Sequence, residues 1–230
     1  FRIGEDKSVL LPVMIHLDGF HLSHMVEPIM IEEQVDVNKF LPLFNFPLPL
    51  DPSKPVSMGA FAPPIIYSET RKAQEENLNA SKKVITKVWD EFNRIFGRQY
   101  EPVESYRTEG AKTLLMTMGS FSETAMTAID RMRDAGQDVG LIRLRLWRPF
   151  PAKELRQAVK GIETLVVLDR ALSLGGQAGP VCSEVRSTLY NEPNKPIVTN
   201  IVGGLGGRDI SISDFEEIVN RGIELANNGC

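Results

Sequence analysis

Cysteine is nearly absent from this chain: among 230 residues there are only Cys182 and Cys230. Two thiols make no disulfide framework. The lack of any C-x-x-C pair excludes a self-contained iron–sulfur cluster or structural zinc site of the usual kind. Free thiols instead fit a reducing, cytoplasmic setting. No apolar run approaches the roughly 20 residues of a membrane-spanning helix. Neither sign of charge dominates: the formal net charge is -4, with both signs interspersed, and no basic stripe tracks a phosphate backbone. Membrane and nucleic acid are therefore not expected partners. The first residues, Phe1-Arg-Ile-Gly-Glu-Asp6, lack both an initiator Met and the apolar core of a signal peptide. No G-x-S-x-G occurs, no Cys lies beside a plausible His, and neither G-x-G-x-x-G nor G-x-x-x-x-G-K-[ST] appears in its required context.

What is present is an ordinary globular composition, 42% hydrophobic and 24% charged, long enough for one large domain or two small ones. Val9-Leu-Leu-Pro-Val-Met-Ile15 reads as a buried strand, with Pro12 favouring an edge or a bulge. It runs into His16-Leu-Asp-Gly-Phe20, where Asp18-Gly19 mark a turn. Such a strand needs neighbours, so residues 1–40 are expected to be the end of a domain begun upstream. From Pro42 to Pro64 lie seven of the fifteen prolines. That density defeats helix and central strand and predicts an extended, stiff crossing. Its apolar residues, Leu41, Leu43, Phe44, Phe46, Leu48, Leu50 and Phe61, predict contact with a protein surface, its own or a partner's.

Residues 68–96 carry the clearest helical periodicity, with Leu78, Ile85, Val88, Trp89, Phe92, Ile95 and Phe96 on one face and Gly97 placed as a stop. From about residue 108 onward strand and helix alternate. Strands are expected at 113–118, 139–147, 164–168 and 196–202. Helices are expected from a capping box at Ser120-Phe-Ser-Glu123 to about Gly136, over 153–160, over 180–190, and after a second capping box at Ser213-Asp-Phe-Glu216. This alternation predicts right-handed βαβ units and a parallel sheet, an α/β fold.

Three glycine-rich turns could meet an anion at a helix N-terminus: Gly119-Ser120, Gly175-Gly176-Gln-Ala-Gly179, and Gly203-Gly-Leu-Gly-Gly-Arg208. The plainer reading is tight left-handed turns. The functional reading makes Gly206, Gly207, Arg208 and Asp209 an anion or partner loop, with Arg208 a phosphate or carboxylate fork. His16, His21 and His24 cluster, and Glu27 lies beyond. The break at Asp18-Gly19 and the absence of a second cluster argue against a metal site. A polar loop following a strand end is the better candidate, because α/β sites gather at such ends. Its residues are Asp18, Ser23, His24 and Glu27. The residues alone offer no catalytic constellation.

Leu11-Pro-Val-Met-Ile-His-Leu-Asp-Gly-Phe-His-Leu-Ser-His24 resembles the "LPV…DGF.LSH" stretch of pyruvate:ferredoxin oxidoreductase alpha subunits. Leu205-Gly-Gly-Arg-Asp-Ile210 resembles their "GLGGRDI". Leu146-Trp-Arg-Pro-Phe-Pro151, Val167-Leu-Asp-Arg170, Gly175-Gly176 and Gly179-Pro180 fall in the expected order between them. The resemblance covers essentially the whole chain. It implies a thiamine-diphosphate enzyme, with Mg and iron–sulfur clusters, that cleaves a 2-oxoacid, reduces ferredoxin and forms an acyl-CoA. It further implies that residues 1–40 end a pyrimidine-binding domain and residues 41–107 form a crossing and long helix. Residues 108–230 would then be a parallel-sheet domain like the C-terminal domain of transketolases, serving mainly in assembly. The activating Glu and the pyruvate-binding Thr and Arg of the family would lie upstream, so no catalytic residue is carried over and no cofactor is expected on this chain alone. The partners implied are the other subunits, with ferredoxin and coenzyme A met through the complete enzyme, in cytoplasmic anaerobic metabolism. The Asp-Gly-Phe form resembles the pyruvate type, with oxalate and branched-chain types left open. Two other classes compete: an independent α/β interaction module, and a transketolase-like or dehydrogenase E1 subunit domain.

Overall fold

The computed structural model describes residues 1–19, 21–59 and 61–229. The chain divides into two compact units, one of residues 1–15 with 27–101, the other of residues 16–26 with 102–230. Phe20, Ala60 and Cys230, and with them the aromatic residue of the Asp-Gly-Phe motif and the second thiol, lie outside the described residues.

The first unit contains helices α2 (Gln34–Phe40) and α3 (Pro64–Phe96). Proline suits the first turn of α3 because its fixed φ is already helical and the N–H it lacks would have no partner there. Gly97 ends the helix in the left-handed region (φ +70), its N–H donating to the Asn93 carbonyl at 2.8 Å. Ser81, Ile85 and Val88 are the buried residues of α3. Phe40 of α2 stands edge-on to Phe92 and Phe96, with centroids 5.3 and 5.7 Å away. Only the second half of this helix therefore meets a core; residues 64–77 are exposed.

One expectation for this unit needs correction. Val9–Ile15 is not a strand: it has no ladder partner among the described residues, and Met14 and Ile15 are 81% and 84% exposed. A strand takes its backbone partners from its neighbours, and among the described residues no strand pairs there. The described residues of 41–63 are free of regular secondary structure, as expected, and Leu43 and Leu50 stay exposed on this chain.

The second unit carries the short helix α1 (His21–His24) and a five-stranded sheet. Its strands are β1 (Val103–Tyr106), β2 (Thr113–Thr117), β3 (Val139–Leu144), β4 (Thr164–Asp169) and β5 (Ile197–Val202). Their order is β1-β3-β2-β4-β5, with β1 antiparallel to β3 and every other pair parallel. Register is set by Thr113 opposite both Val139 and Thr164, and by Thr164 opposite Ile197. Successive residues of a strand face opposite sides, so fully apolar strands require cover on both. On one side Leu114, Met116, Leu165 and Val167 pack with Leu155 of α5 (Ala152–Ala158) and Val185 and Leu189 of α6 (Pro180–Leu189). On the other, Leu115, Val166 and Leu168 pack with Ala125 and Ile129 of α4 (Phe121–Asp134) and Phe215 and Val219 of α7 (Ile212–Asn227). The α/β class is as the sequence predicts.

Three local details differ. Strand β1 has no counterpart in the sequence reading; it is a four-residue edge strand whose Glu104 carboxylate accepts from Arg145 Nε at 2.5 Å and Arg143 Nη1 at 3.3 Å. Ser120 makes no capping bond to α4, because its hydroxyl is engaged elsewhere. The capping box of α7 is Ser211 with Asp214, not Ser213 with Glu216. The Asp214 side chain accepts from Ser211 N at 2.7 Å, and the Ser211 hydroxyl accepts from Asp214 N at 3.2 Å.

Candidate functional site

The connections set where a site can form. From β2 the chain passes through α4 to β3 on one side; from β4 it passes through α6 to β5 on the other. The carboxyl ends of β2 and β4 thus flank the point where strand order reverses. There the following loops diverge and leave a crevice, the usual ligand position of an open parallel sheet.

Asp18 lies there. Its carboxylate accepts from Arg170 Nη1 at 2.6 Å and from the Ser120 amide at 3.2 Å, and it makes a very short hydrogen bond with the Ser120 hydroxyl. Ser120 follows β2 and Arg170 follows β4, so one side chain bridges both banks of the crevice. Asp18 and Arg170 side chains are 29% and 28% exposed, which shields the pair in part. The Ser120 hydrogen bond, with help from Arg170, holds the Asp18 carboxyl below the usual carboxylate range despite partial desolvation. The Arg170 guanidinium also lies over the Phe121 ring, 3.7 Å from its centroid. Gly119 is in the left-handed region (φ +81), which turns the chain sharply enough for the next amide to reach Asp18.

A second network braces the end of β4. The buried Asp169 accepts from Val181 N at 2.8 Å, Cys182 N at 3.1 Å and Asn200 Nδ2 at 2.9 Å. Those two amides belong to the first turn of α6, where a carboxylate satisfies orphan donors and meets the favourable end of the helix dipole. Asn200 in turn accepts from Gly179 N at 2.8 Å and donates to the Val167 carbonyl at 3.1 Å. A Cβ on Gly179 would run into Asp169, so glycine is required where the loop returns to the strand.

The structure scatters the remaining sequence candidates. Ser23 and His24 sit on α1, with Ser23 Oγ and His24 Nδ1 2.9 Å apart, and both are exposed. Glu27 is exposed and falls in the first unit. Gly206 and Gly207 lie in a 3-10 turn after β5, Gly206 and Gly207 at φ +65 and +81, as tight-turn glycines. Arg208 and Asp209 follow it, exposed; the Asp214 carboxyl is held below its ordinary range by its hydrogen bonds with Ser211, with the Arg208 charge adding to them. This loop also opens at the carboxyl edge of the sheet. Sequence reading singled out Asp18 and the Gly119-Ser120 turn separately; Arg170 as partner of Asp18 was missed. The available signal was that Ser120 and Arg170 both come directly after apolar strands.

Among the described residues no group of three His, Cys, Asp or Glu side chains converges as metal ligands. One open concavity is lined by Arg2, Glu5, Lys7 and Phe44, another by Arg107, Glu109 and Arg133. Among the described residues no helix is long and apolar enough to cross a membrane.

Fold and edge define a doubly wound α/β unit with a carboxylate-bridged crevice. Residues 1–90 match the family described as pyruvate flavodoxin/ferredoxin oxidoreductase, thiamine diphosphate-binding, and residues 111–215 match pyruvate:ferredoxin oxidoreductase core domain II. The pyruvate synthase subunit PorA of Methanothermobacter thermautotrophicus is 42% identical over 96% of this chain and 56% of its own length. The ketoisovalerate oxidoreductase subunit VorA of Pyrococcus abyssi is 36% identical over 100% of this chain and 58% of its own. Among solved structures, a 2-oxoglutarate:ferredoxin oxidoreductase from Magnetococcus marinus aligns with TM-score 0.45 at 21% identity, covering 72% of this chain and 24% of that one. The chain belongs to the pyruvate:ferredoxin oxidoreductase family, on its alpha-subunit side. It spans a little over half the length of the curated relatives it matches.

Proposed function

We propose that this chain is the assembly part of the alpha subunit of a thiamine-diphosphate-dependent 2-oxoacid:ferredoxin oxidoreductase acting on pyruvate. The complete enzyme converts pyruvate and CoA to acetyl-CoA and CO2 and passes the two electrons released to ferredoxin. Residues 1–40 are the end of the pyrimidine-binding domain, residues 41–107 the crossing and long helix, and residues 108–230 the transketolase C-terminal-like module. Mg and the iron–sulfur clusters sit on other parts of the assembly, together with the diphosphate site, in the cytoplasm. The single observation carrying this reading is the 42% identity to a pyruvate synthase subunit over nearly the whole chain. The match of residues 1–90 to a thiamine-diphosphate-binding family supports the cofactor. The apolar side chains left uncovered in residues 41–61, Leu43, Leu50 and Phe61 among them, support a part made to be covered by others.

The loop from Asp18 to Glu27 borders the active site or a subunit interface in this reading, because its polar residues leave the carboxyl edge of the sheet. Replacing His24 by Ala in the assembled enzyme is expected to lower activity or subunit retention; unchanged values in both would sink that placement.

The test is co-expression of this chain with the remaining alpha-subunit sequence and the beta, gamma and delta partners. The assay follows reduction of ferredoxin or a viologen dye driven by pyruvate and CoA. Activity that needs this chain establishes the role. The 36% identity to a ketoisovalerate enzyme makes a branched-chain 2-oxoacid the second reading, so 2-ketoisovalerate is run beside pyruvate. A higher kcat/KM for it would transfer the substrate assignment.

A further inference from the structure

Residues 16–26 pack with the α/β unit although the residues flanking them on both sides, 1–15 and 27–101, belong to the other unit. Of its described large apolar side chains, Leu17 is 77%, Leu22 49%, Met25 60% and Val26 100% exposed. Asp18 ties it to the sheet. This carboxylate takes both banks of the crevice at once, Ser120 after β2 and Arg170 after β4, while Ser23 and His24 beyond it remain exposed. Charge-assisted hydrogen bonds of this kind are about twice as strong as neutral ones, and here three donors converge on one group. Arg170 is itself held, its guanidinium stacked over Phe121. A stacked cation loses less conformational freedom when it forms the ion pair.

We propose that Asp18 is a positioning residue: the switch-point crevice serves as a socket for the chain's own carboxylate, and this contact anchors the 16–26 loop that presents Ser23 and His24. Asp18 thus does not itself face a substrate or a partner; its oxygens are spent on the socket. The functional part of the inference rests on the proposal that this loop borders the active site or an interface, whereas the anchoring part stands without it.

The test separates the two. Thermolysin, which cuts before exposed apolar residues, is applied to this chain, and cuts before Leu17, Leu22, Met25 and Val26 are counted by mass spectrometry. Cuts before Leu43 and Leu50 in the exposed crossing are the internal reference. Asp18→Ala and Arg170→Gln are each expected to raise the ratio of loop cuts to reference cuts about tenfold, the loss of roughly one charged hydrogen bond. Arg170→Lys, which keeps the cation, is expected to restore most of the protection. An unchanged ratio in both Asp18→Ala and Arg170→Gln overturns the anchor. In the assembled oxidoreductase, a positioning role predicts that Asp18→Ala lowers kcat or subunit retention and Arg170→Lys largely spares it. A loosened loop with unchanged kcat, KM and retention would keep the anchor and overturn the placement of the loop at the active site or interface.

Discussion

Gly222 of α7 lies directly against Val166 of β4. A Cβ built on Gly222 would overlap the Val166 side chain, and Val166 is fully buried at the centre of the sheet. Helix and strand therefore approach as closely as the missing side chain allows. Gly222→Ala is expected to destabilise the chain by about 1–3 kcal/mol, the usual result of overpacking a close-packed core. Propensity alone would favour alanine in a helix, so the sign of the change is informative. A urea midpoint that rises in the variant would mean that α7 sits farther from the sheet than described.

Asp169 is the buried carboxylate that gathers Val181 N, Cys182 N and Asn200 Nδ2. Asp169→Asn removes the charge and turns a donor toward amides that need acceptors. A loss of about 2–3 kcal/mol is expected from buried donors left unmatched, measured by equilibrium unfolding. Asn200→Ala, which removes one arm of the network and its bond to Gly179, is expected to cost less.

The start of α7 offers a direct comparison of two serines. Ser211→Ala removes the side-chain acceptor of the capping box and is expected to cost about 1 kcal/mol. Ser213→Ala touches only the Ser211 hydroxyl and is expected to stay within about 0.5 kcal/mol. Equal losses would move the cap.

Burial in an apolar layer pushes the Cys182 thiol from 9.0 up to about 11. At pH 8 the folded chain should leave Cys182 unlabelled by iodoacetamide over times that fully label it in urea, because the thiolate is the nucleophile. Since the folded pKa lies above the unfolded one, the contribution of the neutral thiol to stability is fully present below pH 9. It is lost as pH rises toward about 11. Cys182→Ala should flatten this part of the stability–pH curve; an unaltered slope would assign the alkaline loss to other groups.

Sequence alone determined the parts that local pattern controls. Strands β2 and β4 carry the unbroken apolar runs Leu114–Met116 and Leu165–Leu168, and only a sheet covered on both faces can bury such runs. The second half of α3 shows its core stripe at helical spacing and its glycine stop at residue 97, because both follow from backbone geometry within a few residues. Tertiary structure decided whatever depends on a distant partner. An apolar run such as Val9–Ile15 is a strand only where another strand lies beside it. The four residues of β1 became one because β3 offered an edge and Arg143 and Arg145 met Glu104. Ser120 gave up its predicted cap because Asp18, 102 positions earlier, claims its hydroxyl. Asp18 and Arg170, 152 positions apart, carry no shared local signal. Their pairing exists only because strand order reverses between β2 and β4 and leaves one gap that a carboxylate can fill.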